Sequence, residues 1–319
     1  MKLVFAGTPE FAAPTLRALV GAGHEVALVV TQPDRPAGRG RAMEVPAVKR
    51  VALELHLSVL QPESINLPEA LGAIRYIAPD AMVVEAFGQK LSPEVLALPR
   101  LGCFNVHASL LPAYRGAAPI NHVILNGETR TGVTIIRMAE RIDAGEVLAQ
   151  QELAINLDWN AGDLSDALSP IGAELMVRTL AEVESGRAKG VPQGRKTHPI
   201  APKLWKKDGE MWLKGGAPVE HNHVRGMTPW PGAFTFTRDA RTGRELRLVV
   251  LKTSVATDVD AGTAAPGTVV ASDHRGLVVA CAPGCLRLER VKPAGSHEMS
   301  ADEFARGHGI KVGSKFGRA

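Results

Sequence analysis

The sequence predicts an open, mostly parallel α/β sheet followed by a small all-β domain. Three observations carry that prediction. Over the first 185 residues, short apolar runs alternate with helical patterns, the signature of an α/β sheet. The run EVALVVT is continuously apolar rather than alternating, as a strand covered on both faces must be. Beyond residue 207 the pattern changes to short strand signals separated by Gly and Asp turns, with little helix.

The elements follow in order. KLVFA opens the chain as a short strand closed by Gly7-Thr8-Pro9, and a helical pattern runs from Glu10 to about Ala22. EVALVVT, DAMVVEAF and GCFNVHA are buried strands. Between the last two, LSPEVLAL is a short helix with Ser92 as N-cap and Pro93 at the first helical position. AAPINHVILNG is a helix ending at Gly127. TGVTIIRM and EVLAQQELAI add two strands, and AGDLSDALSPIGAELMVRTLAEVES is a long helix disturbed at Pro170. From Gly186 to about Lys207 the segment GRAKGVPQGRKTHPIAPKLWKK is rich in Gly, Pro and Lys and has neither period, the mark of a linker. GAFTFTR, ELRLVVLKTSV, GTVVASD, GLVVACA and CLRLERVKP then build a barrel or sandwich. Domains are therefore expected at 1–188 and 208–319, joined by a linker at 189–207.

Composition narrows the function classes. The 319 residues are 45% hydrophobic and 22% charged, so a packed core can form throughout. No apolar run approaches the ~20 residues of a membrane span. The opening MKLVFAGTPEF leads straight into a turn and does not read as a signal peptide. Three cysteines, Cys103, Cys281 and Cys285, suit neither a disulfide framework nor a zinc site, so a reduced cytoplasmic protein without a metal is expected. Charge is uneven. Residues 201–319 hold 18 Lys and Arg against 12 Asp and Glu, whereas residues 1–200 hold 19 against 21. A basic C-terminal third suits a polyanionic partner, although charge alone favours a solvated surface.

AGTPEF occupies the strand-to-helix turn of a dinucleotide site but has one glycine where that fingerprint needs three, so it reads as a tight turn. Asn105 and His107 are more informative. Successive strand side chains alternate, so both share one face. They lie at the carboxyl end of a parallel strand, the edge where open α/β sheets bind ligands. Together an amide and an imidazole can donate two hydrogen bonds to one developing oxyanion, and His can exchange a proton near neutral pH. On these residues alone, a satisfied and partly buried polar pair is an equally good reading. Ser109-Leu110-Leu111-Pro112 follows as a rigid apolar turn with one hydroxyl, and Tyr114-Arg115-Gly116 precedes a helix.

The stretch FNVHASLLPAYRGAAPI resembles the signature of the folate-dependent formyltransferases. The resemblance covers essentially the whole chain, through MKLVFAGTPEFAAPTLRAL, VVTQPDRPAGRGR, RIDAGEVL, APKLWKKDGEM and TPWPGAFT, and is strongest to the branch acting on initiator tRNA. It implies a Rossmann-like sheet of formyltransferase type and an OB-like C-terminal barrel. It implies 10-formyltetrahydrofolate as donor and the α-amino group of methionyl initiator tRNA as acceptor, with direct amine attack in a monomeric enzyme. The resemblance carries catalytic roles onto Asn105, His107 and Asp143. It places folate against Ser109, Leu110, Leu111 and Pro112, with the pterin read by backbone groups near Gln89, Lys90 and Leu91. It places tRNA against Arg35, Arg39 and Arg41 of a basic insertion, against Lys203, Lys206 and Lys207 of the linker, and against the C-terminal domain.

Read by themselves, several of these residues have plainer roles. Asp143 in RIDAGEV also suits a turn-capping Asp. The insertion PDRPAGRGRAMEVPAVKR has five basic and two acidic residues, and its Pro and Gly predict a flexible loop rather than a regular element. Glu85, in VVEAF, stands where an apolar residue is expected and reads as a strand-end Glu facing solvent or an Arg. A formyltransferase of small amines, such as an amino sugar or glycinamide ribonucleotide, would keep Asn105, His107 and Asp143 but would need neither the Arg-rich insertion nor the basic β domain. A non-catalytic RNA-binding protein is disfavoured by the intact triad and turn, and a nucleotide-binding oxidoreductase by the missing glycines.

Overall fold

The computed structural model describes residues 1–37, 42–194 and 198–318. They form two compact units. One comprises Met1–Pro119, Arg130–Ile155 and Ser165–Pro202, and the other Ile120–Thr129, Asn156–Leu164 and Lys203–Ala319.

The first unit is built on β1 (Lys2–Gly7), β2 (Glu25–Val30), β3 (Arg35–Ala37), β4 (Ala42–Glu44), β5 (Val59–Leu60), β6 (Ala81–Glu85), β7 (Cys103–His107), β8 (Arg115–Gly116), β9 (Arg130–Arg137), β10 (Val147–Ala154) and β11 (Ile200–Ala201). Its helices are α1 (Ala13–Gly21), α2 (Ala47–Glu54), α3 (Pro68–Ile77) and α4 (Pro93–Leu96); α5 (Pro119–Leu125) falls almost wholly in the second unit, and α6 (Ala161–Glu184) mostly in the first. Seven strands make one sheet in the order β10-β9-β7-β6-β1-β2-β5. Five of them, from β7 to β5, run parallel, while β9 and β10 are antiparallel. The open, mostly parallel sheet is the one expected.

Helices cover the sheet on both faces, which is why β1 buries Leu3, Val4, Phe5 and Ala6 completely. Against one face, Leu71 and Ile74 of α3 and Val95 of α4 pack on Val4, Val30, Met82, Val84 and Cys103. On the other, α6 comes so close at Gly172 that an added Cβ would press on Val106 Cγ1 at 2.8 Å. Helix α6 continues through Pro170, which removes one donor without ending the helix. Ser92 caps α4 by accepting from Val95 N at 3.3 Å, with Pro93 following as expected.

Two expectations need correction here. The insertion is not free of regular structure: β3 and β4 pair antiparallel, Arg35 with Glu44 and Pro36 with Met43. A two-stranded hairpin is all edge, so Pro36 forfeits no central ladder bond. Pro46 then leads into α2, which buries Val48, Val51 and Ala52, a helical stripe hidden behind the Pro and Gly of the preceding residues. The segment after α6 makes pairings of its own. Val191 bridges Val147, and β11 pairs parallel with β8. Nor is Glu85 at a solvent edge. It is 0% exposed, because β6 lies in the sheet interior between β1 and β7.

The second unit contains α7 (Ala217–Met227), β12 (Phe234–Arg238), β13 (Glu245–Val255), β14 (Val269–Asp273), β15 (Gly276–Ala280), β16 (Cys285–Pro293), β17 (Met299–Ser300) and α8 (Ala301–His308). Its sheet is antiparallel in the order β12-β13-β16-β15-β14, with β17 beside β16. The chain end protects both outer strands: Phe316 bridges Thr237 on β12, and Lys315 bridges Thr268 beside β14. Sheets seldom leave such edges bare. The all-β character is as expected, but α7 and α8 are additions that short strand signals had masked.

Candidate active site

Strands β6 and β7 are parallel neighbours, with Val84 opposite Asn105 and Glu85 opposite Val106. Facing pairs in a parallel sheet share a side, so Asn105 and His107 project with Val84 toward the α3 and α4 face. Glu85 and Val106 project the opposite way. The strand period therefore separates the two unusual polar groups of this region by the thickness of the sheet.

His107 is 5% exposed, and its Nε2 lies 3.0 Å from the carbonyl of Tyr114. A carbonyl only accepts, so Nε2 carries the hydrogen and Nδ1 is the nitrogen left to exchange a proton. Asp143 Oδ1 lies 3.7 Å from that Nδ1. The other oxygen, Oδ2, accepts from Gly116 N at 2.9 Å. Asp143 holds this position with a left-handed φ of 51°, a conformation that a residue with a Cβ adopts only when its surroundings impose it. Among the described residues, the half-buried Asn105 amide has no hydrogen-bond partner. The structure thus brings Asn105, His107 and Asp143 to one edge, with one amide free and one imidazole nitrogen beside a carboxylate.

The Ser109–Pro112 turn is braced from within. Ser109, fully buried, donates its hydroxyl to Ala113 O at 2.7 Å. Thr134 on β9 donates to Ser109 O at 2.6 Å and accepts from Leu111 N at 3.0 Å. Gln150 on β10 donates to Leu111 O at 2.8 Å. The Ser109 hydroxyl therefore shapes the turn, leaving Leu110 and Pro112 half-buried at its surface. Thr134 and Gln150 were missed. The signal for Thr134 was a polar residue inside the apolar run GVTIIR.

The loop after β6 holds Gln89, Lys90 and Leu91. Gln89 spends its side chain on the neighbouring loop, accepting from Ile65 N at 2.7 Å and donating to Glu63 O at 3.3 Å. Lys90 O accepts from Asn66 Nδ2 at 2.9 Å, and Leu91 is buried. Among the described residues, the backbone N–H groups of Gln89, Lys90 and Leu91 have no partner. The neighbouring Phe87 and Leu91 side chains are buried in the core, so the loop sets unpartnered donors next to apolar side chains.

Opposite this face, burial pushes the Glu85 carboxyl up to about 8. Neither oxygen has a hydrogen-bond partner among the described residues. Thr15 Oγ1 lies close enough to offset the shift slightly but outside hydrogen-bond geometry.

Arg35 pairs with Glu63 at 3.0 Å on an exposed surface, while Arg39 and Arg41 lie outside the described residues. Lys203, Lys206 and Lys207 are exposed at the start of the second unit. Lys203 Nζ stands 4.8 Å from the ring of Trp205, and Lys214 Nζ 5.8 Å from that of Trp212. Both tryptophans are more than half exposed. A cavity of about 540 Å³ lies beside Trp212, lined also by Lys207, Glu210, Glu220 and His223.

Comparison with known proteins agrees with this architecture. A formyl transferase model matches residues 1–180, and a formyl transferase C-terminal domain model matches residues 204–309. The methionyl-tRNA formyltransferase of Ruminiclostridium cellulolyticum is 40% identical over 319 residues, covering 100% of both chains. That of Geobacter metallireducens is 42% identical over 317 residues, covering 99% of each. Among solved structures, HypX from Aquifex aeolicus in complex with tetrahydrofolic acid aligns with a TM-score of 0.64 at 17% identity, over 98% of this chain and 48% of that one, a likeness of fold. With two family models in tandem and full-length identity near 40%, the chain belongs to the formyl transferases, in the methionyl-tRNA formyltransferase family.

Proposed function

We propose that this chain transfers the formyl group of 10-formyltetrahydrofolate to the α-amino group of methionyl initiator tRNA. The observation that carries the reading is Asn105 on the same strand face as His107, whose Nδ1 lies 3.7 Å from Asp143 Oδ1. Bound folate supplies a formyl carbon open to attack by an amine. Asn105 donates to the formyl oxygen as it gains charge. His107, fixed through Nε2 by Tyr114, takes at Nδ1 the proton the amine loses as its new C–N bond forms and returns it to the folate nitrogen as that nitrogen's bond to the formyl carbon breaks, with the Asp143 carboxylate beside the charged ring. The unpartnered amides of Gln89, Lys90 and Leu91 and the turn of Ser109, Leu110, Leu111 and Pro112 hold the folate.

In this reading residues 1–188 are catalytic, 189–207 link, and 208–319 hold the tRNA body. Arg35, Arg39 and Arg41 approach the acceptor stem, and Lys203, Lys206 and Lys207 meet phosphates. The exposed Trp205 and Trp212, each beside a lysine ammonium, support a nucleic-acid surface, since aromatic faces stack on unpaired bases. Lys207→Ala is expected to weaken tRNA binding modestly and to lower the slope of log affinity against log salt by about one. An unchanged slope in a salt titration would remove Lys207 from the interface.

The deciding experiment is a formylation assay with formylated folate and four acceptors: methionyl initiator tRNA, elongator methionyl-tRNA, free methionine and an amino sugar. Strong preference for the initiator tRNA is expected. Equal turnover of the amino sugar would replace the reading with a small-amine formyltransferase.

A further inference from the structure

We propose that Gln193 is a positioning residue for the Asp143 carboxylate. Gln193 belongs to the Gly- and Pro-rich segment after α6, where the sequence offers no reason to single it out. Its Nε2 donates to two carbonyls of the catalytic loop, Asp143 O and Gly145 O, each at 2.8 Å. Its Oε1 accepts from Arg115, at 3.0 Å from Nε and 2.5 Å from Nη2. The orientation of the amide is unambiguous, because the reverse would set its oxygen against two carbonyls and its NH2 against a guanidinium.

These contacts close a ring. Arg115 holds Gln193, Gln193 holds the backbone of Asp143, and Asp143 Oδ2 accepts from the N–H of Gly116, the residue after Arg115. The ring itself is pinned by β8 pairing with β11, so tightly at Gly116, with φ of +126°, that a Cβ would overlap the Ala201 carbonyl. Asp143 has a left-handed backbone, and its own carboxylate is committed to Gly116 and His107 rather than to its turn. Within the loop Ala144 N donates to Arg141 O at 3.2 Å, and Gln193 adds two hydrogen bonds from outside it. One NH2 group reaching two carbonyls of the loop sets the height and tilt of the carboxylate over His107.

The proposal rests on the reading of Asp143 as the partner of His107. Its test uses the full chain with Gln193→Leu, which keeps the size and removes every hydrogen bond. Turnover of methionyl initiator tRNA is expected to fall on the order of 10- to 100-fold, as misplaced catalytic groups do, with KM for both substrates within about twofold. In an Asp143→Ala background the same substitution is expected to cost less than about twofold more, because a residue acting through another loses its effect with it. If Gln193→Leu does not fold, Gln193→Glu, which still accepts from Arg115 but cannot donate, is measured in both backgrounds. An additive loss, or undiminished turnover in the single variant, would overturn the proposal alone. Normal turnover in Asp143→Ala would overturn the catalytic reading and this proposal with it.

Discussion

His107→Ala and Asn105→Ala are each expected to lower kcat on the order of 10²- to 10³-fold while folate binding changes little. For Asn105 the loss is that of a preorganised donor to the developing oxyanion, whose bond strengthens only as charge appears, and for His107 it is that of a positioned proton acceptor. Asn105 fits the role since no described residue competes for its amide. For His107 the argument is geometric. Nε2 is committed to the Tyr114 carbonyl, so all chemistry at this ring passes through Nδ1, on the Asp143 side. His107→Gln should not rescue, because an amide cannot take up a proton there. Single-turnover formylation, measured beside folate affinity by calorimetry, separates the two effects. A loss confined to binding would sink the oxyanion role.

Glu85→Gln is expected to stabilise the protein, with a gain that grows with pH. Burial raises the folded carboxyl to about 8 from an ordinary 4.5. Such a group is protonated in the folded chain and ionised in the unfolded one across neutral pH. Its contribution is fully present below about pH 4.5 and is lost as pH rises through about 8. At 1.36 kcal/mol per pKa unit the loss approaches ~5 kcal/mol, comparable with the whole stability of many domains. Gln is nearly isosteric and never ionises, so it escapes that loss while still burying an amide. Melts of both proteins at pH 5, 7 and 9 should show curves that nearly meet at pH 5 and diverge at pH 9. Parallel curves would mean that Glu85 finds a charge partner or a water in solution.

The two results would bear on opposite faces of one strand pair. Val84 and Asn105 share one side of the sheet, Glu85 and Val106 the other. A change at Glu85 is thus expected to move stability without moving the chemistry at His107, and a change at His107 the reverse.

Much of this was legible in the chain itself. Continuous apolar runs marked the parallel strands, and the period of two placed Asn105 and His107 on one face, because alternation is a property of neighbouring residues. Resemblance, not spacing, named Asp143. What only the folded chain decided is who meets whom. Asp143 reaches Gly116 across 27 residues, and Arg115 reaches Gln193 across 78. The same holds for the hairpin and helix hidden in the Pro- and Gly-rich insertion, and for Glu85, whose burial follows from β6 lying inside the sheet. Local periodicity is written residue by residue and can be read there. Hydrogen-bond partners and burial depend on which distant segments the sheet brings together, and that is settled by packing.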